Sequence, residues 1–322
     1  MTAPFISVHG RRLGLTPYGL QVDGRPVGSW PTGMGRGKTW FVNSTVAGSD
    51  GTSPDTALAN LTLAVAKCTA NMGDVIVVMP AHAETITAAG GITVSKAGVS
   101  IIGLGYGRQR PTITFGTANT ATFLVTAADV YISNMIFSAN FLAVAVGIGI
   151  SATNCWLNDL TFVNAGASKN FTSPIKVTAT TSNAADELRV MNCRWQPGTD
   201  TAGGPFISIA GTNDACVFSN NYMSTSATTA AQLISVATGK LLTNAEISWN
   251  RVNNLMTSGE LFISNDGTTN TGVIHNNYVG HADVTGTHDP GWDAGGFRLF
   301  NNLSVSVDNL QGVVIPAIDV NL

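Results

Sequence analysis

Glutamate is nearly missing from this chain: its 322 residues hold four, Glu84, Glu187, Glu246 and Glu260, and charged residues of both signs make up only 11%. The charged helix formers are therefore scarce. With 16 basic against 19 acidic residues the net charge is −3, which excludes a basic nucleic-acid binder and leaves no direct nucleic-acid partner to expect. At 44% hydrophobic residues the chain is also too apolar to stay disordered. The four cysteines, Cys68, Cys155, Cys193 and Cys216, are scattered with no C-x-x-C pair. That spacing speaks against a zinc site or disulfide framework and for buried small hydrophobes. No apolar run reaches the roughly 18 residues a membrane helix needs. The longest, Phe141 to Ile150, has ten and is broken by glycine, so no membrane partner is expected. Arg11 and Arg12 are not followed by a long apolar stretch, so no secretory signal is read and synthesis in the cytoplasm is expected.

What fills the space is threonine (38), glycine (35) and asparagine (27), together 100 of the 322 residues and all residues of strands and turns. A length of 322 fits two domains or one elongated repeat array, and the pattern decides for the array. A short phrase recurs: apolar, any residue, Asn or Asp, two residues, apolar or aromatic. Its copies start at Ile132, Leu157, Val190, Phe218, Ile247, Ile274 and Leu299, so successive spacings are 25, 33, 28, 29, 27 and 25 residues. Most copies are preceded by a period-2 segment: Phe123 to Val125, Ile148 to Ile150, Ile175 to Val177, Ile207 to Ile209, Ile234 to Val236 and Leu261 to Ile263. Two further strands, Val75 to Met79 and Val99 to Leu104, extend the series upstream. One repeat is one coil of a β-solenoid, in which equivalent side chains stack about 4.8 Å apart. Stacked amides then make a ladder, and the phrase places Asn134, Asn192, Asn220, Asn276 and Asn301 in it, with Trp249 replacing one asparagine and Asn250 offset beside it.

Solenoid ends expose strand edges and need caps. Residues 55 to 71 carry Leu58, Leu61, Val65 and Cys68, with Met72 following, at three- and four-residue spacing; the pattern predicts a short N-terminal capping helix. The segment Thr39-Trp-Phe-Val-Asn43, then Gly48-Ser-Asp-Gly-Thr-Ser-Pro54, the helix, and Gly73-Asp-Val-Ile-Val-Val-Met-Pro80 with Glu84 resembles the opening of a right-handed parallel β-helix of the pectate-lyase-like superfamily. With Gly103-Leu-Gly-Tyr-Gly107 and Arg110-Pro-Thr-Ile-Thr114 it is similar to β-helix proteins of tailed-phage virions. The resemblance spans roughly residues 39 to 305 and is specific for fold. The expected architecture is all-β: a single-stranded right-handed parallel β-helix with a short N-terminal capping helix and an extended N-terminal arm. Its segments are an arm over 1–38, a cap over 39–73, the β-helix over 74–305 and a C-terminal cap or tail over 306–322. The arm holds eight glycines, four prolines and Arg11, Arg12, Arg25, Arg36 and Lys38 against the single acid Asp23, a net +4 that suits an acidic partner surface.

Because the superfamily includes lyases and glycoside hydrolases, paired carboxyls and metal ligands matter. Asp159, Asp186 and Glu187, with Arg189 and Arg194 nearby, do not form the clustered acids of a calcium site and are expected as surface charges. The dense group is His281, Asp283, His288, Asp289 and Asp293, on the loop between the phrases at Ile274 and Leu299; its spacing matches no established metal motif, so these are weak metal candidates. His82 is expected as a polar residue of the capping region and His275 lies beside the ladder. No cofactor is expected. Arg and Gly residues around Gly103 to Gly107 lack a following helix pattern and read as a turn, not a phosphate loop.

From the resemblance follows an expectation of a non-enzymatic tailed-phage virion protein. It would sit on the capsid exterior as a decoration protein, a homotrimer bound to the major capsid protein through the arm. Trp195, Tyr222, Trp249 and Tyr278 would serve the packing of protomers if they face outward. The alternative is a tail spike or fibre that binds or depolymerises host surface polysaccharide. A free-standing polysaccharide lyase or hydrolase ranks last.

Overall fold

The computed structural model describes residues 37–46, 48–166, 168–196, 204–225, 232–253, 263–264, 269–282, 295–306 and 313–315, and the backbone of four short strands within 5–26. The solenoid is an all-β right-handed parallel β-helix. A complete coil contributes one strand to each of three sheets, here named lead, middle and trailing, and two coils add a short parallel pair, Asn213–Asp214 with Leu242–Thr243. The lead sheet has seven parallel strands, from Ile92–Val94 to Ile263–Ser264. The middle sheet has ten, from Thr39–Val42 to Arg298–Phe300. The trailing sheet also has ten, beginning at Ala83–Ile86, and ends on Asn302–Ser306 and Val313–Ile315, the latter antiparallel to its neighbour.

Strands of three or four residues suffice because each places one or two side chains inside and leaves the rest to stack on identical positions. In the lead sheet Ile148 and Ile150 lie between Phe123 and Val125 on one side and Ile175 and Val177 on the other, all fully buried. The trailing sheet turns inward the column Ile113, Phe137, Phe162, Trp195, Met223, Val252 and Val279. Phe137 and Phe162 stack with centroids 5.3 Å apart, and Phe162 and Trp195 both meet Phe206 from the loop before a lead strand. Burial of each such side chain is worth roughly 1.5–3 kcal/mol, repeated coil after coil. Close approach between coils also fixes some glycines: a Cβ on Gly103 would stand 2.2 Å from the Asn134 carbonyl oxygen.

The N-terminal opening of this core is closed by Leu61–Lys67, a helix shorter than the pattern predicts. Leu61, Ala64 and Val65 face the core; Met72, placed on the same stripe by spacing, lies beyond the helix and is exposed. Asn60 caps the helix by accepting from the Leu63 N–H at 2.9 Å, and Glu84 accepts from the Leu61 N–H at 2.9 Å. Fully buried His82 accepts from the Ser44 N–H at its Nδ1 and approaches Glu84 at its Nε2, which assigns the Nε2–H tautomer and makes the histidine part of the cap. Asp74 clamps the start of the solenoid: its two carboxylate oxygens accept from the Lys38 and Thr69 N–H groups at 2.5 and 2.7 Å.

The arm departs from expectation. Phe5–Val8, Arg11–Thr16, Gly19–Val22 and Arg25–Pro26 pair as a four-stranded antiparallel meander rather than an extended segment. Only two residues separate each paired end, His9-Gly10, Pro17-Tyr18 and Asp23-Gly24, and such short turn-forming spacers favour hairpins over extension. Arg11 and Arg12 begin the second strand and Arg25 the fourth; Arg36 lies outside the described residues.

Candidate functional site

The corner between the middle and trailing sheets is the most regular outer feature of the solenoid. Each coil turns there through one residue with left-handed backbone, and the column reads Asn134, Asp159, Asn192, Asn220, Trp249, Asn276 and Asn301, with φ between 50° and 60° throughout. Asparagine and aspartate tolerate this region; a bulky aromatic residue there is strained. The residue after each bend points inward and is buried: Met135, Leu160, Cys193, then Asn221, Asn250, Asn277 and Asn302.

This second column corrects the expected ladder by one residue. The continuous amide ladder is Asn221, Asn250, Asn277 and Asn302. Each Oδ1 accepts from the backbone N–H one coil earlier, namely Cys193, Asn221, Asn250 and Asn277, at 2.8 to 3.1 Å. Each Nδ2 donates to the carbonyl of the inward residue of the preceding middle strand, Val190, Phe218, Ile247 and Ile274, at 2.9 Å. The outer column of Asn134, Asn192, Asn220, Asn276 and Asn301 is linked only in pairs. Asn220 donates to Asn192 at 2.6 Å and Asn301 to Asn276 at 2.5 Å, while Asn134 bonds to the carbonyls of Gly103 and Gly105. Trp249 interrupts this row, and the Asn276 amide turns to His275 Nδ1 at 2.9 Å. The doublets Asn220-Asn221, Asn276-Asn277 and Asn301-Asn302 carried the signal; counting outward and inward positions from the preceding apolar residue assigns the second member to the core.

On the side away from the core, three columns run side by side over five coils, with Ser219 and Ser248 covered by their neighbours. The last residues of the middle strands are Met191, Ser219, Ser248, His275 and Phe300. The bends supply Asn192, Asn220, Trp249, Asn276 and Asn301. The first residues of the trailing strands are Arg194, Tyr222, Arg251, Tyr278 and, one register on, Leu303. Four inter-strand steps give a strip roughly 19 Å long. Trp249 is 61% exposed and Phe300 44% exposed. Phe300 stacks parallel on His275 at 4.7 Å, and exposed Arg194 and Arg251 lie over the Tyr222 and Tyr278 rings at 5.4 and 5.2 Å. Of the four aromatics assigned to protomer packing, Trp195 instead faces the core at 1% exposure, because it occupies the inward alternate position of its strand.

Glu246, Ser248 and His275 stand together on this strip without forming a nucleophile. The Ser248 hydroxyl donates to Glu246 Oε1 at 2.8 Å, and His275 Nε2 faces the same oxygen at 3.5 Å. Both imidazole nitrogens are thus engaged, and neither receives the serine proton, which is the contact a serine nucleophile needs.

The acids read as surface charges are held in local contacts. The Asp159 carboxylate lies 3.7 Å from Arg110, whose guanidinium, its pKa lowered by burial, also bonds Thr161 Oγ1 and the Met135 and Asp159 carbonyls. Asp186 accepts from the Asp214 N–H at 2.7 Å, and hydrogen bonds from Thr243 and Asn244 keep the Asp214 carboxyl below its ordinary pKa. His281, placed by sequence on a loop, is instead the last residue of the strand Tyr278–His281, buried at 3.2 Å from the Ser304 hydroxyl. Asp283, His288, Asp289 and Asp293 lie outside the described residues. Among the described residues no group of three or more histidine, cysteine, aspartate or glutamate side chains is placed to hold a metal ion. Lys38 is exposed, its ammonium 5.8 Å from the Trp40 ring.

No protein-family model and no curated protein matches the chain. Among solved structures it is similar to the crystal structure of pectate lyase Pel9A, with 13% identity, a TM-score of 0.48 and an alignment covering 87% of this chain and 79% of that one.

Proposed function

We propose that this protein is a structural component of a tailed-phage virion. In this reading it decorates the capsid exterior as a homotrimer, bound to the major capsid protein through its basic N-terminal segment, and performs no chemistry of its own. The observation that carries the proposal is the division of labour at the N-terminus. The first coil is sealed by its own helix, Leu61–Lys67, and clamped by Asp74, so the solenoid does not need the basic segment as a lid. A segment with net +4 on a chain of net −3 is then available as an anchor for an acidic surface. The pectate-lyase-like resemblance to phage β-helix proteins supplies the setting.

The test is cosedimentation with capsids lacking the protein, using the full-length chain and the full-length variant Arg11→Gln/Arg12→Gln/Arg25→Gln, with light scattering for the oligomer. The expected result is saturable binding of trimers and its loss in the variant, with an unchanged circular dichroism spectrum. Binding that survives the triple substitution overturns the anchor. A wild-type protein that ignores capsids and binds tails overturns the decoration role in favour of the spike.

A further inference from the structure

Three sheets reach the N-terminal end of the solenoid, and the first strand of each is an open edge unless something covers it. The capping helix packs on two of these strands, Thr39–Val42 of the middle sheet and Ile92–Val94 of the lead sheet. The third, Ala83–Ile86 of the trailing sheet, pairs with Thr112–Phe115 on one side only. Its other side is met by a strap, residues 43–46, where Ser44 Oγ accepts from the Ala83 N–H at 3.0 Å. The strap is tied to the interior by a bond to a titratable acceptor: the Ser44 N–H donates to His82 Nδ1 at 2.9 Å.

The His82 ring is closed off from solvent. Its hydrogen sits on Nε2, toward Glu84 Oε2 at 3.2 Å, and the same carboxylate oxygen accepts from the Leu61 N–H at the start of the helix. Of the ionisable groups on the surrounding elements, Glu84 is the one engaged with the ring. The strap carries none. On the next coil Thr112 donates its N–H to the His82 carbonyl, and Arg110 is committed to Thr161, Met135 and Asp159. Lys67 lies at the far end of the helix over Trp40, and Asp50 and Asp55, on the loop before the helix, are exposed.

We infer that His82 is a proton-operated catch for the strap. A second proton can enter the ring only at Nδ1, where it turns the acceptor of the Ser44 N–H into a donor facing it. Glu84 steadies the charged ring through Nε2, so the conflict falls on the strap. Residues 43–46 lift from the Ala83–Ile86 edge, while the helix stays, held by Glu84 and by its Asn60 cap. Acid thus uncovers one sheet edge and leaves the core intact. The device is independent of the capsid reading.

The test is hydrogen exchange of the full-length protein from about pH 8 to about pH 5, the interval in which imidazoles charge, with intrinsic exchange rates divided out. Protection in 41–46 is expected to fall about tenfold per pH unit once the ring charges, because opening then takes up one proton. Protection in 61–67 and 112–115, and the circular dichroism spectrum, should hold. His82→Asn keeps an acceptor near the Nδ1 position and has no ring to titrate, so its profile in 41–46 is expected to be flat. A flat wild-type profile, or an equally steep fall in His82→Asn, overturns the inference. If that variant does not fold, nitrogen-15 NMR of the wild-type His82 ring decides. Charging of the ring with the same midpoint as the loss of strap protection supports the catch, and a ring that stays neutral while the strap loosens overturns it.

Discussion

Replacing Asn250 with alanine tests which asparagine column carries the solenoid. The side chain accepts from the Asn221 N–H at 2.9 Å and the Asn221 amide at 3.0 Å, and donates to Asn277 Oδ1 at 3.0 Å and the Phe218 carbonyl at 2.9 Å. Its removal leaves the buried Asn221 N–H without its acceptor, a loss of about 1–3 kcal/mol, and opens a small polar cavity. The total is about 3 kcal/mol. Asn220→Ala, in the outer column one coil earlier, removes one exposed hydrogen bond, to Asn192, and puts alanine at a φ of 55°; about 1 kcal/mol is expected. Urea unfolding followed by circular dichroism compares the two midpoints, and hydrogen exchange of peptides covering 217–225 locates the effect. In a nearest-neighbour stack the Asn250 variant should loosen the coils on either side first. An Asn220→Ala cost equal to or above that of Asn250→Ala refutes the assignment of the inner column.

Asp74→Ala removes two charge-assisted bonds to backbone N–H groups from a site 2% exposed, so stability should fall by about 3 kcal/mol, with faster hydrogen exchange in 37–42 and 61–69; unaltered exchange there contradicts the clamp. The four thiols should resist iodoacetamide at pH 8 in the native protein and react in urea, read by mass spectrometry. Burial pushes Cys155 up to about 11 and Cys68, Cys193 and Cys216 up to about 12. Because these folded values lie above the ordinary 9.0, unfolded thiols ionise first, so the thiol contribution is complete below pH 9 and is lost as pH rises toward 11–12. A denaturation midpoint that rises over that interval contradicts the burial.

The coil length, the lead strand of each coil and the capping helix were legible because each rests on local periodicity: alternation for strands, three- and four-residue spacing for Leu61–Lys67; that the recurring phrase splits into two strands of different sheets was not. The inner ladder was not, since a bend with left-handed backbone resets the alternation and sends Asn221 inward while Asn220 faces out. The face of Trp195 was left open for a related reason; only its register against Phe162 shows that it turns inward. The meander of Phe5–Val8 to Arg25–Pro26 was hidden by composition, because glycine- and proline-rich sequence reads as extended until its two-residue spacers are measured against strand lengths. The corner strip depends on residues about 25 to 29 apart in sequence, so its surface exists only after the coils are stacked.

The reversed final strand, Val313–Ile315, bears on how this molecule stays finite. A parallel solenoid is a template for its own elongation, since each rung offers the next an identical slanted row of amide and carbonyl groups. Head-to-tail fibre growth needs every sheet to pass that row on in the same sense. The trailing sheet ends on a strand of opposite polarity, whose perpendicular bonding pattern does not match an incoming parallel rung. Among the described residues, parallel continuity is thus broken by chain direction at one end of the trailing sheet, while a helix closes the core at the other end.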